Sequence, residues 1–284
     1  MNKEMRKITE VRAGQLIEQG MQLIRKGQEL WASTKKLSIT VVSRFYNDEL
    51  LVPFFLDHYS YVDEIVVVLE KSSNDRTREL LSRNSKVRTI EMECKNGYNA
   101  REVRDRKIEV INSITTDWVI CVDVDEFIFP TGFRDVRKVL NCVSGNIVYA
   151  NMWQVWKHRD EMDLNPSVKA IHLRRHGPVE RGNGINDRQD NKPLIFRSGI
   201  NMKFGVGFHN FESRSDLIVS TTVFDGAHWK NADPKIAIQR RMQGRRENIA
   251  TEQLEGGWAN DDFNITEAMI IAECEKHLDD PQLF

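Results

Sequence analysis

The sequence has little of three features that would indicate a specialised class of protein. Its 284 residues include only four cysteines, and none has the CxxC spacing of a zinc cluster, so we expect free thiols. The charges nearly cancel, with 41 Lys and Arg against 42 Asp and Glu, which argues against a dedicated nucleic-acid-binding protein. The longest apolar runs, such as residues 65–69 and 118–122, span five residues, whereas a membrane helix needs about 20. Without a hydrophobic leader either, the chain is expected to be cytoplasmic and to have no transmembrane segment.

Short apolar segments alternate with helical patterns in the first half of the chain. Strands are predicted at residues 39–43, 64–69, 87–92 and 118–122, and helices at residues 48–59, 75–83 and 101–114. Strands that are apolar without alternation are buried on both faces, and strands that alternate with helices form βαβ units on a parallel sheet. The pattern therefore predicts an α/β fold of the Rossmann type, with a mostly parallel sheet flanked by helices.

The rest of the chain is less regular. It contains strand patterns at residues 146–152, 167–173, 193–196 and 217–223, and helix patterns at residues 234–254 and 264–278, the first with Asp233 as cap and Pro234 in its first turn. Residues 8–31 have apolar side chains at helical spacing. The polar face of that helix mixes both charge signs, which favours a helix that covers a sheet edge over a membrane-surface or partner helix.

An acidic cluster follows the strand at residues 118–122. Asp123 and Asp125 are two residues apart in an extended segment, so their side chains lie on the same side, and Glu126 comes next. Carboxylate oxygens are the ligands that Mg²⁺ and Mn²⁺ prefer. With 20 Asp residues, chance alone predicts about one such triplet, so the spacing proves nothing. Its position matters more, because ligands of open α/β sheets bind at the carboxyl ends of strands.

Five short segments follow one another in order between residues 37 and 246. They are SRFYNDE (43–49), FLDH with YVDEIVVVLEKSSNDRT (55–58 and 61–77), DVDEF (123–127), NKPLIFR followed by His209 (191–197), and GAHW before a basic helix (226–229). Together they resemble the motifs of family 2-like glycosyltransferases with the GT-A fold, in the subgroup with an Asp-x-Asp-Glu-Phe metal motif. The sequence departs from that pattern at Glu70-Lys71 in place of two Asp, at Trp229 in place of Tyr, and in residues 152–156, where a Trp-x-x-Phe-Gly segment is blurred.

The resemblance implies a metal-dependent transferase that moves a sugar from a nucleoside diphosphate sugar to a hydroxyl group of a glycan, lipid or polymer, with inversion. The cofactor would be Mn²⁺ or Mg²⁺, held by Asp123, Asp125 and a histidine, for which His228 is preferred to His209. The chain would then divide into an N-terminal amphipathic helix (1–36), a nucleotide-sugar-binding half (37–130), an acceptor-side half of the same domain (131–232) and C-terminal helices (233–284).

Residues for the donor nucleotide are expected at the carboxyl ends of the first strands. The candidates are Arg44, Asn47, Glu70, Asp75, Arg104 and Asp123. Lys107 lies one turn from Arg104, where a solvated basic face is the preferred interpretation. The cluster Arg240, Arg241, Arg245 and Arg246 either holds a diphosphate or a phosphorylated acceptor, or faces solvent.

An inverting transfer also needs a general base. Asp190 is the preferred candidate, and Asp187, Glu212 and Glu126 compete with it. Two alternatives to the transferase remain open. A nucleotidyltransferase uses a similar sheet and a metal-binding Asp, and a catalytically silent module would keep the fold to bind glycans or nucleotides.

Overall fold

The computed structural model describes residues 14–24, 26–27, 37–94, 96–178, 191–212, 214–246 and 264–284. Eight strands form one mixed sheet in the order β3-β2-β1-β4-β7-β6-β8-β5. The strands are β1 Ile39–Phe45, β2 Glu64–Glu70, β3 Val87–Met92, β4 Trp118–Cys121, β5 Glu126–Pro130, β6 Ile147–Gln154, β7 Asn191–Arg197 and β8 Val219–His228. Four of the seven strand pairings are parallel, including those of β1 with β2 and β4, which confirms the predicted α/β class.

Helices lie before, between and after these strands. They are α1 at residues 14–24, α2 Val52–His58, α3 Thr77–Ser82, α4 Ala100–Asn112, α5 Val136–Asn141, α6 Ala170–Leu173, α7 Pro234–Ile238 and α8 Glu267–Lys276, with a 3-10 turn at Val206–Phe208 and a π-helical turn at Gln239–Arg246. Asp233 caps α7 as predicted, by accepting a hydrogen bond from the Lys235 amide. Within the described ranges, no helix combines the length and apolar character that a bilayer crossing requires.

The core lies on both faces of the sheet, because successive side chains of a strand point to opposite sides. Val41 and Ile120 belong to one apolar cluster, and their chain neighbours Val42 and Val119 belong to the other. Helix α2 packs on the first face and α4 on the second. The strands that the sequence predicted to be buried on both sides are therefore confirmed. The four cysteines are free thiols, also as predicted.

Several local predictions need correction. Residues 167–173 were predicted as a strand but contain the single turn of α6, which buries Ala170, Ile171 and Leu173 on one side. Strand β5 was not predicted, because only four residues separate it from β4 and its sequence looks like a continuation of the same segment. The predicted helix at residues 234–254 is α7 followed by the π-helical turn, and residues 247–254 lie outside the described ranges.

Helix α1 does not cover a sheet edge in the way that its amphipathic pattern suggested. Five of its apolar side chains are between 55% and 71% exposed, namely Leu16, Ile17, Met21, Leu23 and Ile24. A helix that covered an edge strand would bury this stripe. The described part of the N-terminal segment thus presents its apolar side to solvent.

Arg174 fixes the connection that follows β8. Its guanidinium is fully buried, donates hydrogen bonds to the carbonyls of Met162, Leu173 and Ala232, and pairs with Asp233 at 3.0 Å. A buried charge is tolerated only when it is paired and its donors are satisfied, and both conditions are met here. The start of α7 is therefore held against the loop before α6.

We predict that His58 contributes to stability in a pH-dependent way. Its Nε2 donates to the Ile128 carbonyl at 2.9 Å, and burial lowers the pKa of the imidazole to about 4 from an ordinary 6.5. Below pH 6.5 the unfolded chain takes up a proton on this ring, whereas the folded chain keeps the ring neutral. The free energy of unfolding therefore falls by up to about 3 kcal/mol as the pH decreases from 6.5 to 4.

Urea unfolding at pH 7 and pH 5 measures this effect. His58→Gln, which keeps a donor for the carbonyl, should lose less stability between the two pH values than the wild type does. His172→Gln removes an exposed imidazole and should behave as the wild type. Equal losses in the His58 variant and the wild type would show that His58 does not titrate as stated.

Candidate active site

A tight turn between β4 and β5 gathers the acidic residues at the carboxyl edge of the sheet. The Asp123 amide donates to Glu126 Oε2 at 2.8 Å, and the Glu126 amide donates to the Asp123 carbonyl at 3.0 Å. Because β5 then pairs with β8, Glu126 lies opposite His228. This register brings His228 Nε2 to 3.3 Å from Asp125 Oδ2. The structure thus confirms that Asp123, Asp125 and Glu126 follow a buried strand, and it places His228 beside them.

Buried cations face these carboxylates. Lys107 pairs with Asp123 at 3.1 Å, and Lys192 pairs with Glu126. Arg240 bridges two acids, Asp125 at 3.1 Å and Asp48 at 2.8 Å. The cluster therefore contains four carboxylates and three permanent cations, so its formal net charge is −1.

Lys107 does not belong to a solvated basic face, so that interpretation was wrong. Its side chain is only 3% exposed. Burial by itself lowers the pKa of the ammonium group, but Asp123 together with Cys121 and Glu126 outweighs it and raises the pKa above its ordinary value. The same pair, together with Lys192, holds the pKa of Asp123 below its ordinary value although burial opposes this. Both groups are therefore charged at neutral pH.

A signal for Lys107 is present in the sequence. It lies four residues after Val103 and three and four residues before Val110 and Ile111, and these three side chains form the buried face of α4. A lysine in register with an apolar stripe is buried, and a buried ammonium group needs a carboxylate partner. Arg240 has no comparable signal, because its partners Asp48 and Asp125 are more than 100 positions away.

A cleft adjoins the acidic turn on the side of β1. It is lined by Arg44, Tyr46, Asp48, Tyr98, Val103, Asp123, Val124 and Arg240. The Arg44 guanidinium lies 4.9 Å from the centre of the Tyr98 ring and 3.6 Å from Glu70 Oε2. Arg44 Nε and Glu70 Oε2 are buried and make no hydrogen bond to any described residue. Buried polar atoms without partners are costly, so they favour a polar ligand at this point.

Two of the predicted nucleotide-binding residues join loops instead of lining the cleft. The Asn47 side-chain carbonyl accepts from the Asn74 amide at 2.8 Å, and Asp75 accepts from the amides of Glu49 and Thr77, both at 2.9 Å. Asn47 also has a φ of 50°, a left-handed conformation that asparagine adopts more readily than most residues. These bonds lock the loop after β1 to the loop after β2.

The other predicted site residues are distributed more widely. Arg104 pairs with its neighbour Asp105 and does not line the cleft. Glu212 is exposed and pairs with Lys203 at 3.2 Å. Asp187 and Asp190 lie outside the described ranges. His209 is exposed at the end of the 3-10 turn and lines a second pocket together with His228.

Glu126 is not positioned to act as a general base. Its side chain is 1% exposed, with Oε1 at the Lys192 ammonium and Oε2 at the Asp123 amide. A base must reach the proton that it removes. The contacts of Glu126 instead hold the acidic turn in shape, so its burial speaks against the predicted catalytic role.

The side-chain groups at the acidic turn are chemically suited to bind a divalent cation. The Asp125 carboxylate and the His228 imidazole are of the classes that Mn²⁺ accepts, and their 3.3 Å separation allows both to contact one ion at bond lengths of about 2.0–2.2 Å. The Asp123 side chain is 48% exposed and pairs with Lys107 at 3.1 Å. As the described side chains stand, no three His, Cys, Asp or Glu groups already form such a set. Arg240 contacts the same Asp125 oxygen that His228 faces.

No protein-family model matches the sequence, and no curated protein matches it either. Similar solved structures include S. aureus TarS 1-349 in complex with UDP-GlcNAc, at 14% identity and a TM-score of 0.39 over 85% of this chain and 72% of that chain. Glucosyl-3-phosphoglycerate synthase from Mycobacterium tuberculosis in complex with Mn²⁺, UDP and phosphoglyceric acid is 17% identical, with a TM-score of 0.30 over 44% of this chain and 46% of that chain. A third, 4-diphosphocytidyl-2C-methyl-D-erythritol synthase, is 14% identical with a TM-score of 0.32, over 57% of this chain and 76% of that chain. Likenesses at this level carry no inference about function, which depends on the side chains of the site.

The buried pair of Glu126 and Lys192 predicts a specific pattern of stabilities. Lys192→Met leaves Glu126 buried without its counter-ion and should lower the free energy of unfolding by about 3–5 kcal/mol. Adding Glu126→Gln to that variant removes the uncompensated charge, so the double variant should recover most of the loss. Chemical denaturation of the two single variants and the double variant measures the coupling. A double variant no more stable than Lys192→Met would contradict the pairing.

Proposed function

We propose that this chain is a metal-dependent glycosyltransferase that moves a sugar from a nucleoside diphosphate sugar to a hydroxyl group of an acceptor, with inversion. One observation carries the proposal: the acidic turn of Asp123 and Asp125 lies at the carboxyl end of β4, directly beside a cleft lined with arginine and tyrosine. Ligands of α/β sheets bind at this edge. The half at residues 37–130 would hold the donor, and the half at residues 131–232 would face the acceptor.

The donor nucleotide is proposed to lie in the cleft beside β1. Tyr98 offers an aromatic face, and Arg44, which Glu70 contacts from behind at 3.6 Å, offers a buried Nε that the described chain leaves without a hydrogen bond. A ribose or a base supplies an acceptor for this N–H group. The diphosphate would then extend toward Asp123, the most exposed carboxylate of the turn.

Asp125 and His228 are the residues proposed to hold Mn²⁺ or Mg²⁺, and Asp123 completes the set from the cleft side. When bound, the ion neutralises the negative charge that develops on the departing diphosphate. The Gln154 side-chain amide lies 2.7 Å from His228 Nδ1, and with its oxygen turned toward Nδ1 it would accept the Nδ1 proton and leave the Nε2 lone pair for the ion. Asp190 remains the proposed general base, and Glu126 is proposed to hold the acidic turn in position.

The loop after β1 favours the glycosyltransferase over the nucleotidyltransferase. Such enzymes cradle a triphosphate in a glycine-rich loop, and residues 46–51 contain no glycine. The loop is also fastened to its neighbour through Asn47 and Asp75. A silent binding module would keep the cleft but would not hydrolyse a sugar nucleotide, so slow hydrolysis of the donor distinguishes it from the transferase.

We expect a nucleoside diphosphate to stabilise the fold when Mn²⁺ is present. A ligand of the native state at 100 times its Kd raises the free energy of unfolding by about 2.7 kcal/mol. Thermal unfolding with UDP, GDP, ADP, CDP and dTDP, each with Mn²⁺ and again with EDTA, identifies the preferred base. If none of the five raises the melting temperature with Mn²⁺, the donor site is not where we place it.

Asp125→Asn should weaken Mn²⁺ binding at least about tenfold, because a neutral amide replaces a charged ligand. Isothermal titration of Mn²⁺ in the presence of the preferred nucleotide measures the change. The matched control is Asp279→Asn, which removes a surface carboxylate paired with Arg159 and should bind Mn²⁺ as the wild type does. An unchanged Mn²⁺ affinity of the Asp125→Asn variant would show that the metal does not bind at this position.

A further inference from the structure

A third pocket lies beside the end of β5 that is farther from the acidic turn. Its volume is about 330 Å³, which is within the range of small-ligand sites. The last three residues of β5, the turn that follows, the end of α2 and the start of α6 form its wall. None of its lining residues also lines the nucleotide cleft or the pocket at His228. This pocket is therefore separate from the proposed reaction centre.

An exposed aromatic ring forms part of this wall. Phe133 lines the pocket and is 45% exposed, which is unusual for so large an apolar side chain. Its ring stacks on that of Phe129, with the ring centres 4.8 Å apart and an interplanar angle of 10°. A parallel stack covers one face of a ring and leaves the opposite face for another flat partner.

The backbone holds Phe133 in this position at a conformational cost. Its φ is 53°, in the left-handed region that bulky residues rarely adopt. The Phe133 amide donates to the Pro130 carbonyl at 2.9 Å, and the Thr131 hydroxyl donates to Asp225 at 2.7 Å, so the turn after β5 is fastened at two points. Strained residues of this kind cluster at active sites and ligand clamps. The strain therefore gives a second reason to place a ligand here.

Tyr61, another residue of the pocket wall, has a buried polar atom without a partner. Its hydroxyl group makes no hydrogen bond to any of the residues that the structure describes. A buried hydroxyl group without a partner is unfavourable, and a phenol can both donate and accept a hydrogen bond. The ligand that this pocket favours thus combines a flat apolar face with polar groups.

The charged side chains of the lining have both signs. Asp57 and Lys169 are exposed, and neither forms an ion pair within the described part of the chain. Arg134 is the other permanent cation, and its Nε donates to the Thr131 carbonyl at 3.2 Å. An anion would meet Asp57 as well as Lys169, and an apolar ligand would leave both without hydrogen bonds. Hydroxyl groups donate to a carboxylate and accept from an ammonium group, so a polyol suits both.

We propose that this pocket is a carbohydrate-binding site that holds a pyranose ring. The flat C–H face of the sugar stacks on Phe133, and one sugar hydroxyl group pairs with the Tyr61 hydroxyl. Other hydroxyl groups donate to Asp57 and accept from Lys169. The inference goes beyond the proposed function and does not rest on it, because the site contains no residue of the nucleotide cleft or of the acidic turn.

Saturation-transfer difference NMR on the full chain tests the inference without nucleotide or metal. The probes are the methyl glycosides of glucose, galactose, mannose and N-acetylglucosamine, with benzoate as an anionic ring and benzyl alcohol as a mainly apolar one. We expect saturation of the ring C–H protons of at least one glycoside, with a Kd at least tenfold lower than that of benzoate or benzyl alcohol. The proposal is wrong if no glycoside binds, or if benzoate or benzyl alcohol binds as tightly as the best glycoside.

Phe133→Asn locates the bound sugar. Asparagine adopts the left-handed conformation more readily than phenylalanine, so the variant keeps the turn and removes the ring. It should bind the best glycoside at least tenfold more weakly than the wild type does. Ile218→Ala is the matched control, because it removes an exposed apolar side chain that does not line the pocket, and its affinity should be that of the wild type. Wild-type affinity in Phe133→Asn would overturn the assignment.

Tyr61→Phe separates a role in binding from a role in the fold. The hydroxyl group has no described partner, so its removal should leave the melting temperature at or above that of the wild type. The same variant should bind the glycoside at least fivefold more weakly, because one hydrogen bond to the sugar is lost. Unchanged affinity, with or without a lower melting temperature, would show that the Tyr61 hydroxyl does not contact the sugar and would contradict the proposed site.

Discussion

Charge compensation at the end of β4 is the constraint on which the site depends. Asp125 and Glu126 are removed from water at adjacent positions, and a carboxylate in such surroundings is stable only beside a cation. The compensating cations come from three separate parts of the chain: Lys107 on α4, Lys192 on β7 and Arg240 in the π-helical turn. The acidic turn therefore joins the first and second halves of the sheet.

Two pockets adjoin the groups of this charge cluster. Asp123 and Arg240 line the cleft near Arg44, whereas Lys192 and His228 line the second pocket. The cleft also includes the rings of Tyr46 and Tyr98 in its lining. A donor and an acceptor placed in them would meet at the turn, where Asp125 and His228 lie 3.3 Å apart. Proximity of this kind is a major source of rate acceleration in group transfer.

The elements of the first half could be predicted from sequence because local patterns determine them. Val87–Met92 has the predicted bounds, and the continuous apolar run of β2 is buried as predicted. The second half depends more on distant contacts, so α6 was taken for a strand and β5 was missed. Periodicity records which side chains are apolar, but it does not record which distant strand pairs with a segment.

The same limit applies to the site. The positions of Asp123 and Asp125 followed from a strand and a turn that are adjacent in sequence. The role of Arg240 could not be predicted, because its ion pair with Asp48 joins residues 192 positions apart and leaves no local pattern in the sequence. The buried state of Lys107 lies between these cases, because its register with Val103 and Ile111 was readable once the helix was known.

The central claim is that the acidic turn holds a divalent cation next to a diphosphate. Anomalous diffraction at the manganese absorption edge, from crystals grown with Mn²⁺ and the nucleoside diphosphate that stabilises the chain most, tests it directly. We expect one strong anomalous peak in contact with the Asp125 carboxylate and His228 Nε2, with the diphosphate on the side of Asp123. An ordered nucleotide with no manganese at this turn, or manganese bound elsewhere on the chain, would contradict it.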